Sequence, residues 1–142
     1  QIDLAKMEGK KAVAEVKSEA IRRVFDEVRR KIEDLASKRG REYERVLVRL
    51  IEEGVGDLEG EDFVIHCNER DKELASRAAK TVEKKMKNVK LRVSENPVDI
   101  LGGVIVESPD GRQIFNNALE ARLIRAEQEM LGRVSEILFG ER

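Results

Sequence analysis

The first 39 residues most constrain how this 142-residue chain can fold. They contain no proline and one glycine, Gly9, and most of their surface is Glu, Lys and Arg. Small or apolar residues recur there with a mean step of about 3.67 residues, which is close to the eleven-residue period of right-handed supercoils. These residues, called the partner seam below, are Val13, Val16, Ala20, Val24, Val28, Ile32 and Leu35.

A long helix with one narrow apolar seam cannot bury that seam against itself. We therefore predict that residues 1–39 form a helix that pairs with a helix of a different chain. Without that chain, the same seam would favour a homodimer. The alternative is a helix that packs within its own chain. The helical pattern is already under way at Gln1, so we also expect this sequence to be part of a longer chain.

The sequence pattern of residues 41–142 predicts a small second domain. Helical spacing resumes over 41–53, and the glycine-rich stretch that follows indicates a loop. Strands are expected at 63–67, 89–93, 102–107 and 112–115. Further helices are expected from Asn68 to about Met86, and from Asn117, with Glu120 completing a capping box, to Gly140. The predicted fold class is α+β: a long N-terminal helix, then a small globular domain with a short mixed or antiparallel sheet and helices.

The Gly102-Gly103 pair raises the question of a phosphate-binding loop. Such a loop ends in Gly-Lys-Ser/Thr and opens a helix, whereas here a β-branched run follows the glycines. A dinucleotide-binding fingerprint would also need the glycines to open a helix. We therefore interpret the pair as a bend or bulge at the start of a strand, and the segment Ser108–Gly111 as the turn of a hairpin.

Other chemistry is poorly supported. His66 and Cys67 are the sole residues of their types, and as neighbours on a strand they point to opposite faces, so neither a zinc site nor a Cys-His pair is expected. Aromatic residues make up 4% of the chain, which argues against base stacking, and the basic residues do not suggest a nucleic-acid-binding face. No apolar run is long enough to span a membrane. We predict no catalytic residues, no metal, no cofactor, no nucleic acid and no membrane insertion.

Residues 101–140 resemble the E subunit of archaeal and vacuolar-type rotary ATPases and ATP synthases. That family has a Gly-Gly-hydrophobic strand, an Asp-Gly turn and a segment like Asp-Asn-Thr-Phe-Glu-Ala-Arg-Leu. The matching residues here are Gly102–Val106, Asp110-Gly111, Asn116–Leu123 and the terminal Ile137–Gly140. The chain departs from the pattern at Asn116, Ala118 and Leu119, which leaves the contacts of those three positions open.

The resemblance implies a non-catalytic peripheral-stalk subunit of a proton-translocating complex. Its N-terminal helix would pair with a second stalk subunit, and its C-terminal domain would attach to the catalytic head on the cytoplasmic face of the membrane. Glu120, Arg122 and Arg125, on the first turns of the last helix, are candidate head contacts. The alternative function is a helical adaptor whose small domain binds a ligand or nucleic acid.

Overall fold

The computed structural model describes residues 3–140, which begin with one long helix. The helices are α1 (Leu4–Lys38), α2 (Arg41–Asp57), α3 (Lys72–Lys85) and α4 (Leu119–Phe139), and a short 3-10 turn covers Glu69–Asp71. The strands are β1 (Asp62–His66), β2 (Lys90–Val93), β3 (Gly103–Glu107) and β4 (Ile114–Ala118). The predicted α+β class is confirmed. Gln1, where the first predicted domain begins, and Arg142, where the second ends, lie outside the described residues.

The four strands form one mixed sheet in the order β2-β1-β3-β4. β1 and β2 are parallel, because the chain crosses from one to the other through α3. β3 lies antiparallel to β1, and β4 completes an antiparallel hairpin with β3. The predicted turn closes that hairpin, where the Gly111 N–H donates to the Ser108 carbonyl at 2.9 Å.

The core lies between one face of the sheet and helices α2 and α3. Alternate strand residues such as Phe63, Ile65 and Val106 point into it, as the two-residue period of a strand requires. α2 contributes the largest apolar share, and α3 contributes small residues that let it approach the sheet. The α2 and α3 residues of the core are Tyr43, Leu47, Val48, Leu50, Ile51, Val55, Leu74, Ala78, Ala79 and Val82.

α2 continues through the stretch that was predicted to be a loop. It ends at Asp57, beyond both Gly54 and Gly56. Gly54 is buried, and a Cβ atom added to it would lie 2.5 Å from Cγ2 of Val106. The glycine therefore brings the helix close to the sheet instead of ending it, so the loop prediction for residues 52–57 was wrong.

The junction of β4 and α4 also differs from its prediction. β4 extends to Ala118 and α4 begins at Leu119, so Asn117 is a strand residue and does not cap the helix. Pairing explains the longer strand, because Asn117 and Ala118 lie opposite Val104 and Gly103 of β3. At the other end, the expected helix stop is confirmed: Gly140 has a φ of +68° and its N–H donates to the Glu136 carbonyl.

The described chain divides into two compact units. One comprises the residues up to Arg30 together with those from Leu123 onward, and the other comprises residues 31–122. The sequence-based division placed the boundary near residue 40 and assigned all of α4 to the second domain. In the structure the end of α1 belongs to the second unit, because Ile32 and Leu35 pack against its core and Ala36 lies within it.

Within residues 3–140, no helix is both long enough and apolar enough to cross a lipid bilayer.

Candidate functional site

The Gly102-Gly103 pair lies at the centre of a buried polar cluster. Gly103 has a φ of +82°, and a Cβ atom there would lie 2.6 Å from the Asn117 carbonyl oxygen. A Cβ atom on Gly102 would lie 2.7 Å from the hydroxyl oxygen of Tyr43. Both positions therefore require glycine: Gly103 for its backbone conformation, and Gly102 for the close approach of α2.

The Tyr43 hydroxyl joins three distant segments. It donates to Oδ2 of Asp71 at 2.5 Å and accepts the N–H of Gly103 at 3.0 Å. Burial raises the pKa of the Tyr43 hydroxyl, and its hydrogen bond to Asp71 raises that pKa further. Burial also raises the pKa of the Asp71 carboxyl, while the Tyr43 hydrogen bond and the nearby Arg70 charge lower it. The three groups form a satisfied structural latch between α2, the 3-10 turn and β3.

Asn68 holds the residues that precede the glycines. Its side-chain oxygen accepts the Asp71 N–H at 2.9 Å, as predicted for an N-cap. Its amide nitrogen donates to the carbonyl oxygens of Ile100 and Leu101, both at 3.2 Å. The segment that enters β3 is therefore fixed on both sides, and the N–H of Gly103 is already used by Tyr43. This geometry agrees with the strand-entry interpretation of the glycine pair.

The first residues of α4 are tied to the same segment. Oε2 of Glu120 accepts the N–H of Leu101 at 2.8 Å, and the N–H of Leu119 donates to the Gly102 carbonyl at 3.0 Å. Glu120 thus reaches out to a neighbouring segment and does not take part in a capping box with Asn117. The expected capping box was wrong because Asn117 is still part of β4.

Asn117 and Arg122 form a second polar cluster with α2. The Asn117 amide is fully buried and donates to the Leu50 carbonyl at 2.9 Å and to Oε1 of Glu53 at 3.1 Å. Arg122 forms an ion pair with Glu53 and donates to the side-chain oxygen of Asn117 at 3.0 Å. The bonds of Asn117 hold β4 against α2, a role that spacing in the sequence did not indicate.

The three candidate head contacts therefore have different surroundings. Glu120 is half-buried and bonded to Leu101, while the Arg122 side chain remains 43% exposed beside Glu53. Arg125 lies three residues further along α4, and its side chain is exposed. A role for any of them in binding the head stays a prediction.

The hairpin turn has its own hydrogen bonds. Oδ1 of Asp110 accepts the Ser108 hydroxyl at 2.7 Å and the Arg112 N–H at 3.0 Å. These bonds favour the charged carboxylate and lower the pKa of Asp110. The Asp110-Gly111 pair is thus explained by the turn: Asp110 accepts its hydrogen bonds, and Gly111 has a φ of +74°.

His66 is the last residue of β1, and Cys67 follows the strand. Nε2 of His66 lies 2.7 Å from Oε1 of Glu107, and the imidazole is half-buried. Cys67 is buried, and burial raises the pKa of its thiol to about 11. Among residues 3–140, no three His, Cys, Asp or Glu side chains come together as metal ligands would.

The structure separates the partner seam into two sets. Val13, Val16 and Val24 are 44%, 69% and 58% exposed, and Ala20 is exposed as well. Val28 is half-buried, and so are Ile32 and Leu35, which pack against the core of the second unit. Within the first unit, α1 half-buries a stripe of apolar residues that shares Val28 with the partner seam: Met7, Ala14, Ile21, Phe25 and Val28.

The family model of the ATP synthase (E/31 kDa) subunit matches residues 1–139 of this chain. The chain belongs to this family. It is similar to the E subunit of the A-type ATP synthase of Pyrococcus furiosus, with 30% identity over 98% of this chain and 68% of the relative. It is 35% identical to the E subunit of the Methanopyrus kandleri A-type ATP synthase, over 99% of this chain and 69% of the relative. It is 36% identical to the E subunit of the Thermococcus kodakarensis A-type ATP synthase, over 96% of this chain and 68% of the relative.

The structure explains the residues of the family motif. In this chain, the Gly-Gly pair and the residues from Asn117 to Arg122 fasten segments of the second unit to one another, and the Asp-Gly pair shapes the turn between β3 and β4. The sequence pattern revealed the motif but did not reveal that Tyr43, Asp71 and Glu53 are its partners, because these residues lie far away along the chain.

Proposed function

We propose that this chain is a non-catalytic peripheral-stalk subunit of an A-type ATP synthase. It would link the catalytic head to the membrane sector and resist the torque of the rotor. The observation that carries this proposal is the exposed part of the partner seam, Val13, Val16, Ala20 and Val24. A helix with such a surface gains stability when another helix covers it.

The proposed partner of α1 is a helix of a second stalk subunit. Burying a valine side chain fully is worth about 1.5–3 kcal/mol, and a two-helix contact that buries several of them can exceed the cost of association. Oppositely charged side chains flank the exposed valines, as in the Arg23–Glu19 and Arg30–Glu27 pairs of α1. These charges would keep the unpaired helix in solution and set the register of a partner.

The second unit is proposed to attach to the catalytic head. Support comes from its packing, because the family motif fastens the segments of this unit to one another instead of lining a cleft. A rigid attachment domain, with nucleotide chemistry carried by other subunits, agrees with this arrangement. The chain would lie on the cytoplasmic face of the membrane as a peripheral member of the complex.

The double variant Val16→Asp with Val24→Asp tests the seam. We expect it to weaken binding to the second stalk subunit by at least about a hundredfold, because each buried carboxylate costs several kcal/mol. The matched control is Ile114→Asp with Ile137→Asp, two residues that are also exposed but lie on β4 and α4. Titration of each variant with the purified partner, followed by calorimetry, measures the affinities.

Unchanged affinity in the seam variant would refute the helix-pairing proposal, provided that both variants melt at the temperature of the unchanged protein. Equal losses in the seam and control variants would point to an effect of added charge instead of the seam. Sedimentation of the unchanged chain alone shows whether the same seam forms a homodimer at high concentration, which we expect the seam variant to abolish.

A further inference from the structure

A dense group of positive charges lies where α3 meets β2. Residues 80–92 contain one acidic residue, Glu83, in a chain whose net charge is −1. Their basic residues are all exposed, and we call them the basic patch: Lys80, Lys84, Lys85, Lys87, Lys90 and Arg92. Within the described residues, Lys85 has an acidic partner, Glu52 at 3.6 Å, and the other five have none.

Glu83 ties the two halves of the basic patch to each other at the edge of the sheet. Its Oε2 accepts the N–H of Leu91 at 2.9 Å, which fastens the flank of α3 to the outer edge of β2. Lys80 precedes Glu83 by three residues and shares its side of the helix. Lys90 and Arg92 flank Leu91 on the strand. Glu83 is therefore half-buried and engaged with a backbone amide, while the cations around it face solvent. Two further carboxylates border the patch: Glu52 lies beside Lys85, and Asp62 lies opposite Lys90 in the sheet.

Local structure explains part of this charge. Lys84 and Lys85 lie in the last turn of α3, where cations favour the negative end of the helix dipole. Lys90 and Arg92 lie on an edge strand, where charges discourage pairing with another sheet. Neither reason applies to Lys80, which repels Lys84 across one helical turn, or to Lys87 in the following turn. The patch holds more positive charge than α3 and β2 require.

The strand residues of the basic patch border the sheet face turned away from α2 and α3. Arg92 pairs with Val64 in the sheet, and Val64 lies on that face but is only 8% exposed. Ile105 follows on the same face and is half-buried. A groove there is lined by Val64, Arg92 and Pro109, among others. The groove also holds Asp62 and Lys90, so what this part of the patch offers to a partner is mainly charge.

We propose that the basic patch docks onto an acidic protein surface of the catalytic head. This inference rests on the head attachment proposed above and names the surface that makes it. Lysines outnumber arginine five to one, which fits solvated carboxylates better than the bidentate recognition of phosphates. No large exposed apolar residue lies between 80 and 92 to enter a lipid surface, and the one tyrosine is buried.

The test compares two variants that remove the same charge. In the patch variant, Lys80, Lys87 and Arg92 are all changed to Gln. In the control variant, the exposed α2 residues Arg41, Arg45 and Arg49 are changed to Gln. Each is titrated with the isolated catalytic head at low and at high salt, and each is also mixed with vesicles that contain an anionic lipid.

We expect the patch variant to bind the head at least about fivefold more weakly than the unchanged protein at low salt, and the difference to shrink at high salt. The control variant should bind as the unchanged protein does. If the unchanged protein binds the head and the patch variant binds equally well, the basic patch is not the docking surface, while head attachment stands. If the unchanged protein does not bind the head, both proposals fail.

Two further outcomes would overturn the docking surface specifically. Equal losses in the patch and control variants would show that overall charge, and not this patch, determines affinity. Binding to anionic vesicles that only the patch variant loses, with head binding retained, would assign the patch to a lipid surface. Thermal melting of both variants confirms that the edge of β2 remains folded and does not aggregate.

Discussion

At the scale of single residues, the second unit depends on a few buried polar groups. Tyr43 bonds partners that lie 28 and 60 residues away in the sequence. No periodicity or motif in the sequence could connect them, because helical and strand patterns report only local neighbours. The sequence did predict the turn at Asp110-Gly111, since that turn depends on residue type and short-range spacing. Local chemistry was therefore predictable, and the latch was not.

The buried Cys67 thiol predicts how stability varies at alkaline pH. Its pKa is 9.0 in its ordinary environment and about 11 in the folded chain. Between these values the unfolded chain releases the proton while the folded chain keeps it, so the free energy of unfolding falls as pH rises. Below pH 9 this group has no effect. The loss reaches about 2 kcal/mol by pH 11. Tyr43, whose pKa is also raised, adds to the loss above pH 10.

Urea unfolding of the unchanged protein and of Cys67→Ala, at intervals between pH 8 and pH 11, measures this dependence. The variant should be less stable at pH 8, because it loses a buried sulfur, but its stability should fall less steeply with pH. The same slope in both proteins would contradict the assignment to Cys67.

At the scale of elements, long-range packing decides where helices and strands end. Residue types alone indicated that α2 should stop near its glycines and that β4 should stop before Asn116. α2 continues because Gly54 fits against Val106, and β4 continues because its last residues pair with the start of β3. The existence of each element was predictable from its period, whereas its end depended on residues of another element.

The two glycines of α2 give a matched pair of substitutions. Alanine stabilises a helix relative to glycine by about 1 kcal/mol where there is room for its methyl group. Gly56 has no atom within 4 Å of the added Cβ, so Gly56→Ala should be stabilising by that amount. At Gly54 the Cβ would meet the buried Val106 at 2.5 Å, so Gly54→Ala should destabilise by about 1–3 kcal/mol despite its better helix propensity. Chemical denaturation measures both, and equal effects would refute the close packing.

At the scale of the whole molecule, the second unit should fold without most of α1. Its core includes Ala36, and Ile32 and Leu35 pack against it. A fragment of residues 31–142 keeps these three side chains, whereas a fragment of residues 41–142 loses them. We expect both fragments to melt cooperatively, with the longer one more stable by about 2–5 kcal/mol. Calorimetry measures the free energy of unfolding of both fragments. Broad melting of the longer fragment, or equal stability of both, would contradict an autonomous unit that begins near residue 31.

The direct passage from β4 into α4 has a mechanical consequence for a subunit proposed to bear torque. Leu119 follows Ala118 without an intervening loop, so the chain has no compliant joint at this point. A pull on the start of α4 would be shared by the β3–β4 pairing, the bond of Leu119 to Gly102 and the bond of Glu120 to Leu101. These ties act in parallel and would have to fail together. The strand-to-helix junction would then behave as a clamp that transmits load into the sheet instead of dissipating it as local stretching.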